Sequence, residues 1–184
     1  MADEQSTAAV DVVARLKGRM IDEALPLWST TGWDSASGGF IDRLHRDGTA
    51  DAAAPRRVMV QARQIYCYAK AAQMGWYPQG RAIALKGLEH LLATAKAPDG
   101  RPGYVHRLTP EGAVLDARRD AYDHAFILLA LATVYALDKD AQIRAEIDAL
   151  LAFLDGQLRS PHGGFHEGLP VSLPRRQNPH MHLF

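Results

Sequence analysis

Gly103-Tyr104-Val105-His106-Arg107-Leu108, followed by Arg118-Arg119 and then the apolar run Ala121 to Leu137, is the stretch that decides the fold, because its order of markers occurs three times. A glycine and an aromatic residue open Gly39-Phe40-Ile41-Asp42-Arg43-Leu44 and Gly164-Phe165-His166-Glu167-Gly168-Leu169 in the same way. Paired arginines follow each segment, at Arg56-Arg57, Arg118-Arg119 and Arg175-Arg176. The unit recurs about every 60 residues, and two independent markers in the same order make chance agreement a poor explanation.

Between the markers the apolar pattern alternates in kind. Val12, Val13, Leu16, Met20, Ala24, Leu27 and Trp28 recur at helical spacing with polar residues between them. So do Ala84, Leu88, Leu91, Leu92 and Ala95, and again Ile143, Ile147, Leu150, Leu151, Leu154 and Leu158. These patterns predict one-sided helices. Val58 to Trp76 and Ala121 to Leu137 are instead apolar around nearly their whole circumference, which predicts helices buried on every side. The alternation describes an all-α fold of two concentric layers, an outer ring packed around an inner one. Pro78 with Gly80 and Pro98 with Gly100 mark joints, and strands are expected only as short extended pieces at the Gly-aromatic motifs.

The 184 residues carry 21 basic and 21 acidic side chains, and 47% are hydrophobic. Zero net charge and the lack of any dense Lys/Arg run argue against a nucleic-acid partner. The longest apolar runs fall short of the roughly 20 residues that cross a bilayer, and the polar, acidic N-terminus does not resemble a secretion signal. No membrane association and a cytoplasmic location are the expectations. The single cysteine, Cys67, rules out an intramolecular disulfide and a cysteine-based zinc site. Set between Tyr66 and Tyr68, it reads as a packed thiol. A closed ring of six such hairpins needs about 360 residues. Residues 1–184 therefore read as the N-terminal half of one barrel domain, truncated at His182-Leu183-Phe184, a few residues into the third inner helix.

After each arginine pair, polar residues interrupt the apolar inner helix. They are Gln61, Arg63 and Gln64 in the first unit, Tyr122, Asp123 and His124 in the second, and Asn178, His180 and His182 in the third. On neighbouring inner helices they share one level at the mouth of the ring, pointing toward a common cavity. Arg63, inside an apolar helix, requires a partner, which is either an acid on an adjacent helix or the oxygens of a substrate. Asn178 and His182, four apart, face the same way on a helix, as a pair for vicinal sugar hydroxyls or as a structural pair. Asp123 and His124 read as an acid, a base or a buried network that orients their neighbours. His180 and His182 diverge by about 200° on a helix and cannot share a metal. His162 and His166 lack further ligands, so no metal is expected. No dinucleotide, phosphate-loop or nucleophile-elbow motif occurs, so no cofactor is expected either.

At these residues the chain resembles the N-acylglucosamine 2-epimerase family of sugar epimerases and isomerases, which includes mannose isomerases and cellobiose 2-epimerases. The likeness is carried by Gly38 to Gly48 (GGFIDRLHRDG), Arg57 to Tyr66 (RVMVQARQIY), Tyr122 to Phe126 (YDHAF) and Arg175 to Leu183 (RRQNPHMHL). It implies an (α/α)6 barrel with a sugar in its central cavity. It also implies that Arg63, Asn178 and His182 contact that sugar, with Gln61, Asp123, His124 and His180 as supporting groups. The implied chemistry is metal-independent proton transfer at the carbon beside the carbonyl. Its two acid-base histidines match nothing in residues 1–184 and are expected beyond Phe184, so no catalytic residue is assigned within the chain. Mannose or an N-acylated hexosamine is the expected substrate class. A noncatalytic sugar-binding or assembly protein, self-associating through its inner helices, is the alternative. An (α/α)6 glycoside hydrolase is disfavoured, because it needs two carboxylates about 5 to 9.5 Å apart and the cluster offers only Asp123.

Overall fold

A computed structural model describes residues 2–183. Phe184, the residue beyond which the acid-base histidines are expected, lies outside the described residues, so the structure does not bear on that expectation. The first helix, α1 (Ala2–Arg19), runs through a π-helical turn, Met20–Ala24, into α2 (Leu25–Thr30). Then follow α3 (Val58–Gln73), α4 (Gly80–Ala95), α5 (Ala121–Asp138), α6 (Ala141–Phe153), which continues as a π-turn over Leu154–Leu158, and α7 (Gln177–Leu183). Helix starts are set locally. Asp120 accepts the Tyr122 N–H at 2.9 Å, and Asp140 accepts the Gln142 N–H at 2.6 Å, each satisfying a donor left without an intrahelical partner.

The inner helices α3, α5 and α7 lie side by side, with α4 and α6 packed behind them. The one-sided helices bury the predicted stripe: Ala84, Leu88, Leu91 and Ala95 on α4, and Ile143, Leu150, Leu154 and Leu158 on α6 and its π-turn. Each large aliphatic side chain so buried contributes roughly 1.5–3 kcal/mol. Leu151 departs from its pattern and stays exposed. By length and composition α5 is apolar enough to cross a membrane, which the reading of short apolar runs missed. Here it is the core helix, in contact with α3, α4, α6 and α7.

Two expectations about burial are corrected. The inner helices are not covered all round: Arg63, Cys67 and Lys70 on α3, and Leu129, Ala132 and Ala136 on α5, form exposed stripes. The reason is geometric, since an inner helix in an open arc has flanking neighbours and an outer layer but nothing across the ring. Cys67 is accordingly exposed, although partial desolvation by its neighbours still raises its thiol pKa. Likewise Val10, Val13 and Leu16 along α1, and Met20 at the start of the π-turn, are exposed, because no described helix packs over that stripe.

Short strands tie successive units together at the end of the arc where the inner helices begin. β1 (Arg56–Arg57) pairs with β2 (Arg107–Leu108), which pairs with β3 (Val114–Asp116), and β4 (Arg119–Asp120) pairs with β5 (Gly168–Leu169), all antiparallel. The pairs Arg56 with Leu108 and Arg57 with Arg107 recur as Arg119 with Leu169 and Asp120 with Gly168. This register corrects the alignment of the arginines. Arg56 corresponds to Arg119, the second member of its pair, so that Arg57 corresponds to Asp120.

The corrected register explains why arginine belongs there. Arg56 is buried and binds Asp34 at 3.0 Å, and Arg119 is buried and binds Asp99 at 2.6 Å. Arg175 reaches Ser160 Oγ and the Gly163 carbonyl. In each unit the arginine pins the loop that leads into the Gly-aromatic motif.

Candidate functional site

Five residues after each pinning arginine, an inner-helix side chain clamps the backbone of the motif itself. Gln61 accepts the Phe40 N–H at 2.8 Å and donates to the Phe40 carbonyl at 2.7 Å. His124 Nε2 accepts the Tyr104 N–H at 3.0 Å, while its Nδ1 donates to the Asp120 carbonyl at 2.7 Å. His180 Nε2 lies 3.2 Å from the Phe165 nitrogen, and its Nδ1 donates to the Arg176 carbonyl at 3.0 Å. The glycines follow from this closeness. Gly39, Gly103 and Gly164 all have positive φ, and a Cβ on Gly103 would fall 2.9 Å from His124 Nε2. Gln61, His124 and His180 therefore point into the loops, not into a shared cavity as expected.

Two residues further along a helix lies about 200° around its axis, so the positions after the clamps face the opposite way. Those positions are Arg63, Phe126 and His182, and they converge. The Arg63 guanidinium sits over the Phe126 ring at 5.1 Å, and the Phe126 and His182 rings lie 4.8 Å apart. Tyr122 closes the group, edge-on to both Phe126 and His182 at 4.9 and 5.3 Å. One turn nearer the helix starts, Met59, Tyr122 and Asn178 are the equivalent positions, and Arg63 Nη1 touches Met59 Sδ at 3.8 Å.

Arg63 was expected to be buried and to need either an acid on an adjacent helix or substrate oxygens; it is exposed and forms no ion pair among the described residues. The inner face of the open arc gives it solvent, which removes the desolvation penalty that demanded a carboxylate. Asn178 and His182 both lie on the exposed side of α7. The structure thus brings Arg63 and His182 together around Phe126, with Asn178 one turn from His182 on the same helix. Phe126 was missed because an apolar residue in an apolar helix carries no chemical signal. The clamp register, counted two residues on, would have found it.

Asp123 is the buried acid of the cluster, and its partner is His106, whose Nδ1 lies 2.6 Å from Asp123 Oδ2. Burial pushes the Asp123 carboxyl up to about 6, against the opposing hydrogen bond from His106. His106 Nε2 is buried with no partner among the described residues. The middle unit is unlike the others here. At the position of His106 the flanking units carry Asp42 and Glu167, which bind Arg57 and Arg176. No group of three His, Cys, Asp or Glu side chains among the described residues is placed to hold a metal ion.

Paired inner and outer helices, with strand links and an inward-facing polar and aromatic cluster at one end, define the class: a helical-hairpin barrel of which this chain forms an arc. Residues 39–184 match the family model of N-acylglucosamine 2-epimerase, and the chain belongs to that family. It is 37% identical over 173 residues to a mannose-6-phosphate isomerase of Rhizobium meliloti (strain 1021), covering 92% of this chain and 43% of that protein. Its backbone superimposes on cellobiose 2-epimerase from Spirochaeta thermophila DSM 6192 with a TM-score of 0.87, at 21% identity, over 96% of this chain and 47% of the other. For a D-mannose isomerase the TM-score is 0.80, at 23% identity, over 92% and 44%. The fold is thus the first half of an (α/α)6 barrel, and the chain spans a little under half the length of the relatives it matches.

Proposed function

We propose that this chain binds and orients an aldose for isomerisation or 2-epimerisation, with mannose or an N-acylhexosamine as substrate. The observation that carries the reading is the meeting of Arg63, Phe126 and His182 on the open inner face. There a guanidinium fork without a carboxylate partner among the described residues lies against the Phe126 ring, beside Tyr122 and His182, with Arg63 and His182 both exposed. The half-buried Tyr122 ring offers an apolar contact to a sugar, while Arg63, Asn178 and His182, all exposed, offer hydrogen bonds to its hydroxyl and carbonyl oxygens.

In this reading the proton on C2, beside the carbonyl, is removed by a base, and the electron pair passes into an enediol or enolate-like intermediate. Return of the proton to the opposite face of C2 gives the epimer, and return to C1 gives the ketose. Imidazole titrates in the range such transfers need. In the same reading the acid-base histidines are not among the 184 residues but on further hairpins of the ring. The 184-residue chain alone is therefore expected to show no turnover of mannose, since loss of general acid-base catalysis costs roughly 10² to 10⁴ in rate. Fructose or epimer formation above a blank would refute that division of labour.

Arg63→Lys keeps the charge and removes the planar fork. Mannose affinity, measured by calorimetry, is expected to fall roughly tenfold with little change in melting temperature. A large fall in melting temperature at unchanged affinity would make Arg63 a packing residue instead.

A further inference from the structure

The two junctions between units are built on one plan, and they differ in charge. At the second junction a cavity of about 250 Å³ is lined by balanced charges, with Arg176 bridging Glu167 at 2.8 Å and Asp120 at 3.0 Å. At the first junction the corresponding cavity, about 260 Å³, is lined by Asp42, Arg43, Ala54, Pro55, Arg57 and Arg107. In the matched strand registers, Arg57 and Arg107 stand opposite each other where the second junction has Asp120 and Gly168. Both replacements move the pair toward positive charge.

Like charges directly across an antiparallel pair are destabilising, so a cross-strand Arg-Arg pair requires compensation. Asp42 supplies it for Arg57 only, gripping Nε and Nη2 at 3.1 and 3.0 Å. Arg43 gives its Nε to Asp51 at 2.8 Å and keeps its terminal nitrogens. Arg107 is exposed and forms no hydrogen bond or ion pair through its side chain among the described residues. Asp116, its neighbour on β3, is engaged by Arg118 at 3.4 Å. The result is a pocket in which Arg57 is already oriented by a buried carboxylate while two further guanidinium groups retain free donors.

We propose that this pocket binds a phosphate monoester dianion, the phosphate of a phosphorylated sugar, with Arg107 as its principal contact and Arg43 and the free edge of Arg57 completing the cradle. Guanidinium forks match phosphate oxygens in pairs, and a dianion across Arg57 and Arg107 removes their repulsion. The sugar-phosphate identity rests on the sugar reading above, whereas anion binding at the pocket does not.

Calorimetric titration of the 184-residue chain with inorganic phosphate, mannose and mannose 6-phosphate tests it, alongside Arg107→Ala and Arg107→Glu. Both are changes at an exposed side chain that makes no hydrogen bond or ion pair among the described residues. Mannose 6-phosphate is expected to bind roughly tenfold or more tightly than mannose, and Arg107→Ala to abolish that preference. Phosphate binding that is lost in Arg107→Glu, with no binding of either sugar, would sustain the anion site and overturn the sugar reading. Equal affinity for mannose and mannose 6-phosphate, unchanged in both variants, would overturn the proposed site.

Discussion

His124→Ala is expected to destabilise the fold by about 3 to 4 kcal/mol, whereas His124→Gln should recover most of that loss. The alanine leaves the buried Tyr104 N–H without an acceptor and removes a ring that stacks on Phe153 at 4.8 Å. For a chain of this size the deficit corresponds to a fall of roughly 10 °C in melting temperature. Glutamine is the informative rescue because the first unit already uses it: Gln61 both accepts from and donates to the backbone of Phe40. Equal losses in both variants would show that the imidazole acts only by filling space.

The same clamp sets a pH dependence. His124 must be neutral to accept at Nε2, and burial holds its pKa down at about 4, below the ordinary 6.5. The unfolded chain takes up this proton near 6.5 and the folded chain only near 4. The clamp's contribution is therefore complete above 6.5 and is lost as the pH falls toward 4, by up to about 3 kcal/mol. Urea melts across that window should show His124→Gln losing less stability on acidification than the parent. Parallel curves for the two proteins would rule out His124 as the titrating group.

The repeat was legible because its markers have separate physical causes. A positive-φ glycine lies under the clamp, an aromatic residue fills the core beside it, and an arginine binds the preceding loop, buried in the first two units and exposed in the third. Register was harder to read. Arg118 and Arg119 look alike in sequence, and only the strand pairing shows that Arg119 is the buried member and that Asp120 replaces the second arginine. The clamps were visible as polar breaks in apolar helices, but type alone does not say which way a side chain points. Gln61 and Arg63 are two residues apart and face opposite sides, one into backbone and the other into the ring. Exposure of Cys67 and Leu129 was illegible for a related reason. Apolar periodicity reports which positions avoid water in a completed ring, and the inner faces of this arc carry that pattern without a covering partner.

That unpartnered surface produces the second large effect expected of the 184-residue chain, which is self-association. Val10, Val13 and Leu16 on α1 and Met20 just after it are 66%, 65%, 57% and 39% exposed, and Leu129 on the inner face of α5 is 41% exposed. Patches of this kind drive association when they are contiguous, as along α1. At roughly 25 cal/mol per Å², leaving several hundred Å² of apolar surface in water forgoes on the order of 10 kcal/mol, comparable with the stability of a whole domain. A second copy offers the same surface and can cover it, so sedimentation velocity at micromolar concentration is expected to show dimers or larger species. Any remaining monomer should bind hydrophobic dyes. Charge-bearing substitutions on the stripe, Val13→Glu with Leu16→Lys, should shift the distribution to monomer, because they place charges where the copies would meet. A dye-silent monomer of 20.2 kDa that melts cooperatively would mean that the three units close their own core. The exposed stripes would then be ordinary surface.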